Sequence, residues 1–183
     1  DSYGNVSTIA GTGNMGSVNG QGTSASFNQP IDVALDDSGN IYVSDSYNHK
    51  IRKIDSSGNV TTLAGSGSGS FADGQGASAS FFYPSGIAID NVRSIYVSDY
   101  YNHRIRKIDN IGNVSTYAGT GDEGSSDGFK TTATFYSPIG VVTDTLGNVY
   151  VSDHKNHIIR KIDTSGNITT IAGNGSIGSN NGD

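Results

Sequence analysis

The chain has 183 residues, no cysteine and a net charge of −6, with a pI near 4.9. It offers no disulfide or thiolate chemistry, and its charge disfavours nucleic acid and anionic membrane surfaces as partners. Only 33% of its residues are hydrophobic, whereas 26 are glycine, a balance suited to short strands separated by many tight turns. No stretch approaches the roughly 20 apolar residues of a membrane span. The opening residues 1–11, Asp-Ser-Tyr-Gly-Asn-Val-Ser-Thr-Ile-Ala-Gly, carry no signal-peptide pattern and read as the middle of a repeat.

In chain order, residues 1–29 read as the fourth strand and long loop of a preceding repeat, and 30–83 as the first complete repeat. A second occupies 84–137, and 138–183 form a third that ends in a truncated loop. Pro30, Pro84 and Pro138 mark the starts. They stand 54 residues apart, as do Asp45, Asp99 and Asp153, without insertion or deletion. Residues 163–183 restate 1–21, so a copy of the fourth strand stands at each end of the sequence.

The middle repeat displays the elements. Short runs rich in Ile, Val, Tyr and Thr at 86–90, 94–99, 104–109 and 113–119 are bounded by Gly, Asn and Asp, and none keeps a helical period for two turns. Turns of the type Asp36-Asp-Ser-Gly-Asn40 and Ser56-Ser-Gly-Asn59 connect them, with Asp capping and Gly-Asn accepting left-handed geometry. The result is a four-stranded antiparallel meander followed by a Ser/Gly-rich loop. Within each loop recurs Ala-x-Phe, as Ala25 and Phe27, Ala79 and Phe81, and Ala133 and Phe135. The ring pins the loop to the sheet edge, a burial worth roughly 2 to 3 kcal/mol. In the third strand Ile51 and Ile54 have opposite parity, so both faces carry apolar side chains, as in sheets stacked like propeller blades.

The stretches Ile41-Tyr-Val-Ser-Asp-x-x-Asn-His-x-Ile-Arg-Lys-Ile-Asp55, Gly58-Asn-Val-Thr-Thr and Phe81-x-x-Pro84-x-Gly86, with their periodic copies, resemble the long form of the NHL repeat. Asn48-His49, Asn102-His103 and Asn156-His157 match its Asn-His pair. The resemblance implies an all-β chain in which each repeat is one four-stranded propeller blade. It leaves function open, since that family includes adhesion segments, protein- and RNA-binding platforms and propeller enzymes. Three repeats and an overhang are fewer than the roughly four to eight blades of a closed ring. The chain is therefore expected to be a window of a longer array, or a subunit whose ends meet the next in a non-closing, fibre-like way. A six-bladed ring of two chains is the alternative.

Several constellations carry possible chemistry. Asp45, Asn48 and His49, with Asp99, Asn102, His103 and Asp153, Asn156, His157, place a carboxylate near an imidazole. A catalytic pair is needed once, and this one recurs in every repeat. They read as a turn in which Asp accepts backbone N–H groups, Asn takes the left-handed position and His packs beside it. His154 departs from the pattern and with Asp153 and His157 gives Asp-His-x-x-His, a candidate Zn²⁺ set against the reading of two exposed imidazoles. Asp122, Glu123 and Asp127 lie in a loop that could hold Ca²⁺, but without EF-hand spacing. Arg52-Lys53, Arg106-Lys107 and Arg160-Lys161 form a basic stripe. Their stems are expected along the neighbouring blade, and their heads in water or near Asp55, Asp109 and Asp163. Asn5, Asn59, Asn113, Asn167 and Asn174 begin N-glycosylation acceptor patterns, although Gly-Asn is also what a hairpin turn requires.

No unrepeated set of nucleophile, base and stabiliser stands out. The expectation is a non-enzymatic structural or adhesive module, extracellular or at the cell surface, without cofactor or membrane insertion. Its partners would be other copies of itself, further repeats, proteins or glycans, and not nucleic acid. The alternatives are part of a propeller lyase or hydrolase with a channel metal, and a ligand-binding or lectin-like propeller.

Overall fold

The computed structural model describes residues 4–179, so the first three and last four residues of the restated 21-residue segments lie outside the described residues. Three five-stranded sheets follow one another along the chain. The first contains β1 (Gly20–Gln21), β2 (Pro30–Leu35), β3 (Ile41–Asp45), β4 (Lys50–Ile54) and β5 (Asn59–Ala64) in the order β1-β5-β4-β3-β2. The second repeats that order with β6 (Gly74–Gln75), β7 (Pro84–Ile89), β8 (Ile95–Asp99), β9 (Arg104–Ile108) and β10 (Asn113–Ala118). The third does so with β11 (Gly128–Phe129), β12 (Val141–Thr143), β13 (Val149–Asp153), β14 (Ile158–Ile162) and β15 (Asn167–Ala172). All named strand pairs are antiparallel. The all-β meanders are therefore as the sequence leads one to expect, and each gains a two-residue strand on its outer edge. That strand comes from the segment ahead of the proline, with Gly20 opposite Val60, Gly74 opposite Val114 and Gly128 opposite Ile168.

Turn chemistry sets the hairpins. Asp36 Oδ1 accepts the N–H groups of Ser38 and Asn40, and its Oδ2 accepts Asn40 Nδ2 and the Tyr42 hydroxyl, while Gly39 adopts φ 77°. Burial alone would raise the Asp36 carboxyl, but these hydrogen bonds hold it down to about 2. The left-handed position of these turns falls to the Gly and not to the Asn that follows it, except in the first turn of the second sheet, where Arg93 takes it at φ 66°.

The apolar residues of each sheet divide by parity between two faces. Tyr42, Ile51 and Ala64 on the trailing face of the first sheet pack with Phe81, Ile87, Ile95, Ile108 and Val114 on the leading face of the second. Ala88, Tyr96, Ile105 and Ala118 pack in the same way with Phe135, Val141, Val149, Ile162 and Ile168 of the third. The core therefore lies between sheets, and the opposite parity of Ile51 and Ile54 places them in two different clusters. Phe81 and Phe135 are fully buried in these layers, so the loop is pinned against a sheet face rather than an edge.

Candidate functional site

At the end of each sheet where the chain enters from Pro30, Pro84 or Pro138, the signature residues form one hydrogen-bonded unit. Asp45 is followed by a three-residue helical turn, Ser46–Asn48, and directly faces Lys50 across the strand pair. Its diagonal neighbour on the same face is Arg52. Arg52 Nη1 lies 2.8 Å from Asp45 Oδ2, and both side chains are fully buried. The equivalent distances are 2.7 Å for Arg106–Asp99 and 3.0 Å for Arg160–Asp153. The second carboxylate oxygen accepts a loop N–H from Asn28, Phe82 or Tyr136. Asn48, Asn102 and Asn156 donate to the same Asp and to the carbonyls of Gly16, Ser70 and Gly124. Each guanidinium also binds two loop carbonyls and lies over Phe27, Phe81 or Phe135, with centroid distances of 5.1 to 5.2 Å. Desolvation pushes the carboxyls of Asp99 and Asp153 above their ordinary range, against the pull of these partners.

Two expectations need correction. The arginines of the supposed basic stripe are buried and pair with Asp45, Asp99 and Asp153. Only the lysines stay outside, over the rings of Tyr42, Tyr96 and Tyr150. Alternation decides this: adjacent residues on a strand point to opposite faces, and Arg can satisfy a buried carboxylate and several carbonyls at once. Asp55, Asp109 and Asp163 are instead the carboxylates of tight turns. The left-handed position of the turn falls to His49, His103 and His157, at φ 52° to 55°, rather than to Asn. The Asn is held helical by its two donated hydrogen bonds, so the next residue must turn the chain. The rotated His then reaches the next sheet, where His49 Nδ1 accepts the Tyr83 N–H and His103 Nδ1 accepts the Ser137 N–H. Burial depresses the basicity of both imidazoles, and Glu123 opposes it at His103.

The metal candidates are not brought together. Asp127 accepts from Arg160 and Thr170, Asp122 accepts from Thr120, and Glu123 Oε1 lies 3.6 Å from His103 Nε2. The Asp153 carboxylate is fully buried in its pair with Arg160, and no group of three potential ligands occurs among the described residues. In the acceptor patterns, Asn59, Asn113 and Asn167 donate Nδ2 to the turn carboxylates Asp55, Asp109 and Asp163. Asn40 and Asn148 make the same bond without a following Ser or Thr, so the Gly-Asn pair has a turn role wherever it stands. Asn174 Oδ1 accepts the Ser176 N–H.

A cluster that sequence reading missed appears where the repeats differ. Tyr83 replaces Gln29 and Ser137, Tyr100 replaces Ser46 and His154, and Tyr47 and Tyr101 stand where the third repeat has Lys155. Their rings meet, with centroids 5.1 Å apart for Tyr47–Tyr83, 5.7 Å for Tyr83–Tyr101 and 4.7 Å for Tyr100–Tyr101. They line a cleft of about 330 Å³ with Ile31, Ser85 and Ile139. Tyr47 and Tyr101 are about half exposed. Burial and the neighbouring tyrosines raise the Tyr83 hydroxyl pKa. The signal in the sequence was an aromatic excess at aligned, non-shared positions.

The NHL repeat family matches residues 27–54, 81–108 and 135–162. NHL repeat-containing protein 2 of Bos taurus is 42% identical over 99 residues, which is 52% of this chain and 14% of that protein. Teneurin-4 of Homo sapiens is 29% identical over 189 residues, covering 92% of this chain and 6% of that protein. The crystal structure of an auxiliary nutrient binding protein from Bacteroides thetaiotaomicron superposes with a TM-score of 0.65 at 26% identity, over 75% of this chain and 36% of that one. The chain thus spans a small part of the length of the curated relatives it matches.

Proposed function

Because this chain belongs to the NHL-repeat family, with three repeats folded as blade-like sheets, we propose that it is a non-enzymatic adhesive module, extracellular or at the cell surface, whose tyrosine cleft receives a glycan. One observation carries the reading. The groups able to do acid–base chemistry are triplicated and engaged in holding each sheet together, whereas the unrepeated, solvent-facing constellation is aromatic. Tyrosines offer flat apolar faces for sugar C–H groups and hydroxyls for sugar oxygens, at little cost in side-chain entropy. The extracellular placement is supported by the five acceptor patterns. The likeness to a protein described as nutrient binding supports a binding role over a catalytic one.

A glycan array probed with the protein, beside a peptide array, tests the reading. Saturable binding to a defined sugar class should weaken at least about tenfold in Tyr47→Ser and Tyr101→Ser. Binding to peptides only would reassign the cleft to a protein partner. Stoichiometric metal in elemental analysis, together with turnover of a lactone or ester panel, would replace the adhesive reading with the enzymatic one.

A further inference from the structure

A second cavity, of about 390 Å³, opens between β10 of the second sheet and the loop that leads into the third. Phe71, Arg104, Tyr117, Lys130 and Thr131 are among its lining residues, and it shares none with the tyrosine cleft. Both of its charged side chains are cations, in a chain whose net charge is −6. Neither Arg104 nor Lys130 forms an ion pair among the described residues.

The Arg104 guanidinium is nevertheless held in place. It lies 4.1 Å from the centroid of the Phe71 ring, donates through Nη1 to the Asn102 carbonyl at 3.0 Å, and donates through Nη2 to the Thr120 carbonyl. Gly121 makes room for it, since a Cβ at that position would overlap the guanidinium. Further N–H groups of the fork are left for a ligand. The nearby carboxylates are engaged elsewhere: Asp73 and Asp99 pair with Arg106, and Asp122 accepts from Thr120. Burial, and after it the Arg106 charge, lowers the Arg104 pKa against the pull of those carboxylates, so the cation is incompletely neutralised.

Lys130 faces it from the loop. Its N–H donates to the Gly166 carbonyl at 2.8 Å and its own carbonyl accepts the Gly119 N–H at 2.9 Å, which fixes the backbone to both neighbouring sheets. The ammonium lies 5.3 Å from the centroid of the Tyr117 ring, which is itself set edge-on against Tyr96 at 4.9 Å.

The fold does not require these residues. At the junction of the first and second sheets, Ser17, Lys50, Leu63 and Gly76 stand where Phe71, Arg104, Tyr117 and Lys130 stand here. The one cation of that set, Lys50, is taken up by the Ser17 hydroxyl at 2.7 Å.

We infer that this cavity binds a tetrahedral oxyanion, a sulfate or phosphate group, between the Arg104 fork and the Lys130 ammonium, with the Thr131 hydroxyl as a further donor. Two cations on different walls suit an anion that presents charged oxygens in several directions, as a planar carboxylate does not.

NMR titration of the 183-residue protein with sodium sulfate and with sodium phosphate, at an ionic strength held constant by sodium chloride, tests the assignment. The amides of Thr116–Gly121 and of Lys130 and Thr131 should shift along one saturable curve. A sulfated disaccharide forms a third arm. Tighter binding than sulfate identifies a sugar-borne group as the ligand, and equal binding identifies the free anion. Arg104→Gln and Lys130→Gln should each weaken sulfate binding about tenfold or more, the loss of a charge-assisted hydrogen bond. Arg104→Lys, which installs the residue of the first repeat and should melt as the parent does, keeps the charge and loses the fork, and should weaken binding less than Arg104→Gln. Tyr47→Ser, in the separate cleft, should leave the curve unchanged. Shifts that fail to saturate, or that chloride alone reproduces, would overturn the inference. So would saturable binding that either Gln variant leaves undiminished.

Discussion

Replacing Asp99 by Ala tests the physical basis of the repeat. Its carboxylate accepts the Phe82 N–H at 2.7 Å, Asn102 Nδ2 at 2.8 Å and Arg106 Nη1 at 2.7 Å, with no exposure of either charged side chain. The variant leaves a buried guanidinium without its buried counter-ion, Asp73 at the rim being its other carboxylate partner, and leaves an orphaned backbone N–H. Breaking a buried pair from one side costs about 3–5 kcal/mol. At an m-value of ~2 kcal/mol per M, this lowers the urea midpoint by roughly 2 M. Arg106→Met should cost a similar amount, because it leaves the buried Asp99 carboxylate without its counter-ion and leaves the Ser80 and Ala72 carbonyls only the N–H groups they exchange with each other. The double variant should cost about 1–3 kcal/mol less than the two singles together, since the unpaired charge that each single creates is then absent. Urea unfolding followed by circular dichroism supplies the four stabilities, and hydrogen exchange of 72–82 reports release of the loop. A cost below about 1 kcal/mol for Asp99→Ala, or strict additivity, would refute the reasoning.

The remaining predictions concern pH and packing. The Asp36 carboxyl lies at about 2 when folded, against an ordinary 3.8, so its stabilisation is complete above pH 3.8 and is lost as pH falls toward 2. Asp36→Asn should flatten the melting temperature over that interval. His49 and His103 are depressed below their ordinary 6.5, so their contribution is complete above pH 6.5 and declines as pH falls through the folded values, where protonation of Nδ1 breaks the contact with the next sheet. Melting curves from pH 7 to 5 should flatten more in His49→Gln than in His103→Gln, because Glu123 stands 3.6 Å from the latter ring and favours its charged form. Phe135→Ala opens a cavity in the layer between the second and third sheets and should cost about 3–5 kcal/mol by chemical denaturation.

Much of the fold was written in period and parity. The 54-residue repeat, the four main strands of the middle sheet to within two residues, and the two-faced strand carrying Ile51 and Ile54 all follow from spacing, because sheets that bury both sides need apolar residues at both parities. The two-residue outer strands were illegible: Gly20–Gln21 and Gly74–Gln75 are too short to show alternation and lie in polar loops. Arg52 beside Lys53 looked like a solvated pair because composition does not say which of two adjacent cations faces inward, and only the position of Asp45 on the paired strand decides it. The left-handed His was hidden by the greater intrinsic tolerance of Asn for that conformation, which two hydrogen bonds override. The tyrosine cleft is assembled from differences among repeats on separate sheets, so it emerges only once the sheets are packed.

The outer strands have a consequence for anyone recombining these units. A graft cut at Pro84 would transplant the second meander without Gly74–Gln75 and expose the hydrogen-bonding edge of β10 near Val114. Such a chimera acquires a template for intermolecular strand addition. A cut placed before Gly74 carries its own seal, so the transferable cassette begins ten residues upstream of the proline that marks the written period.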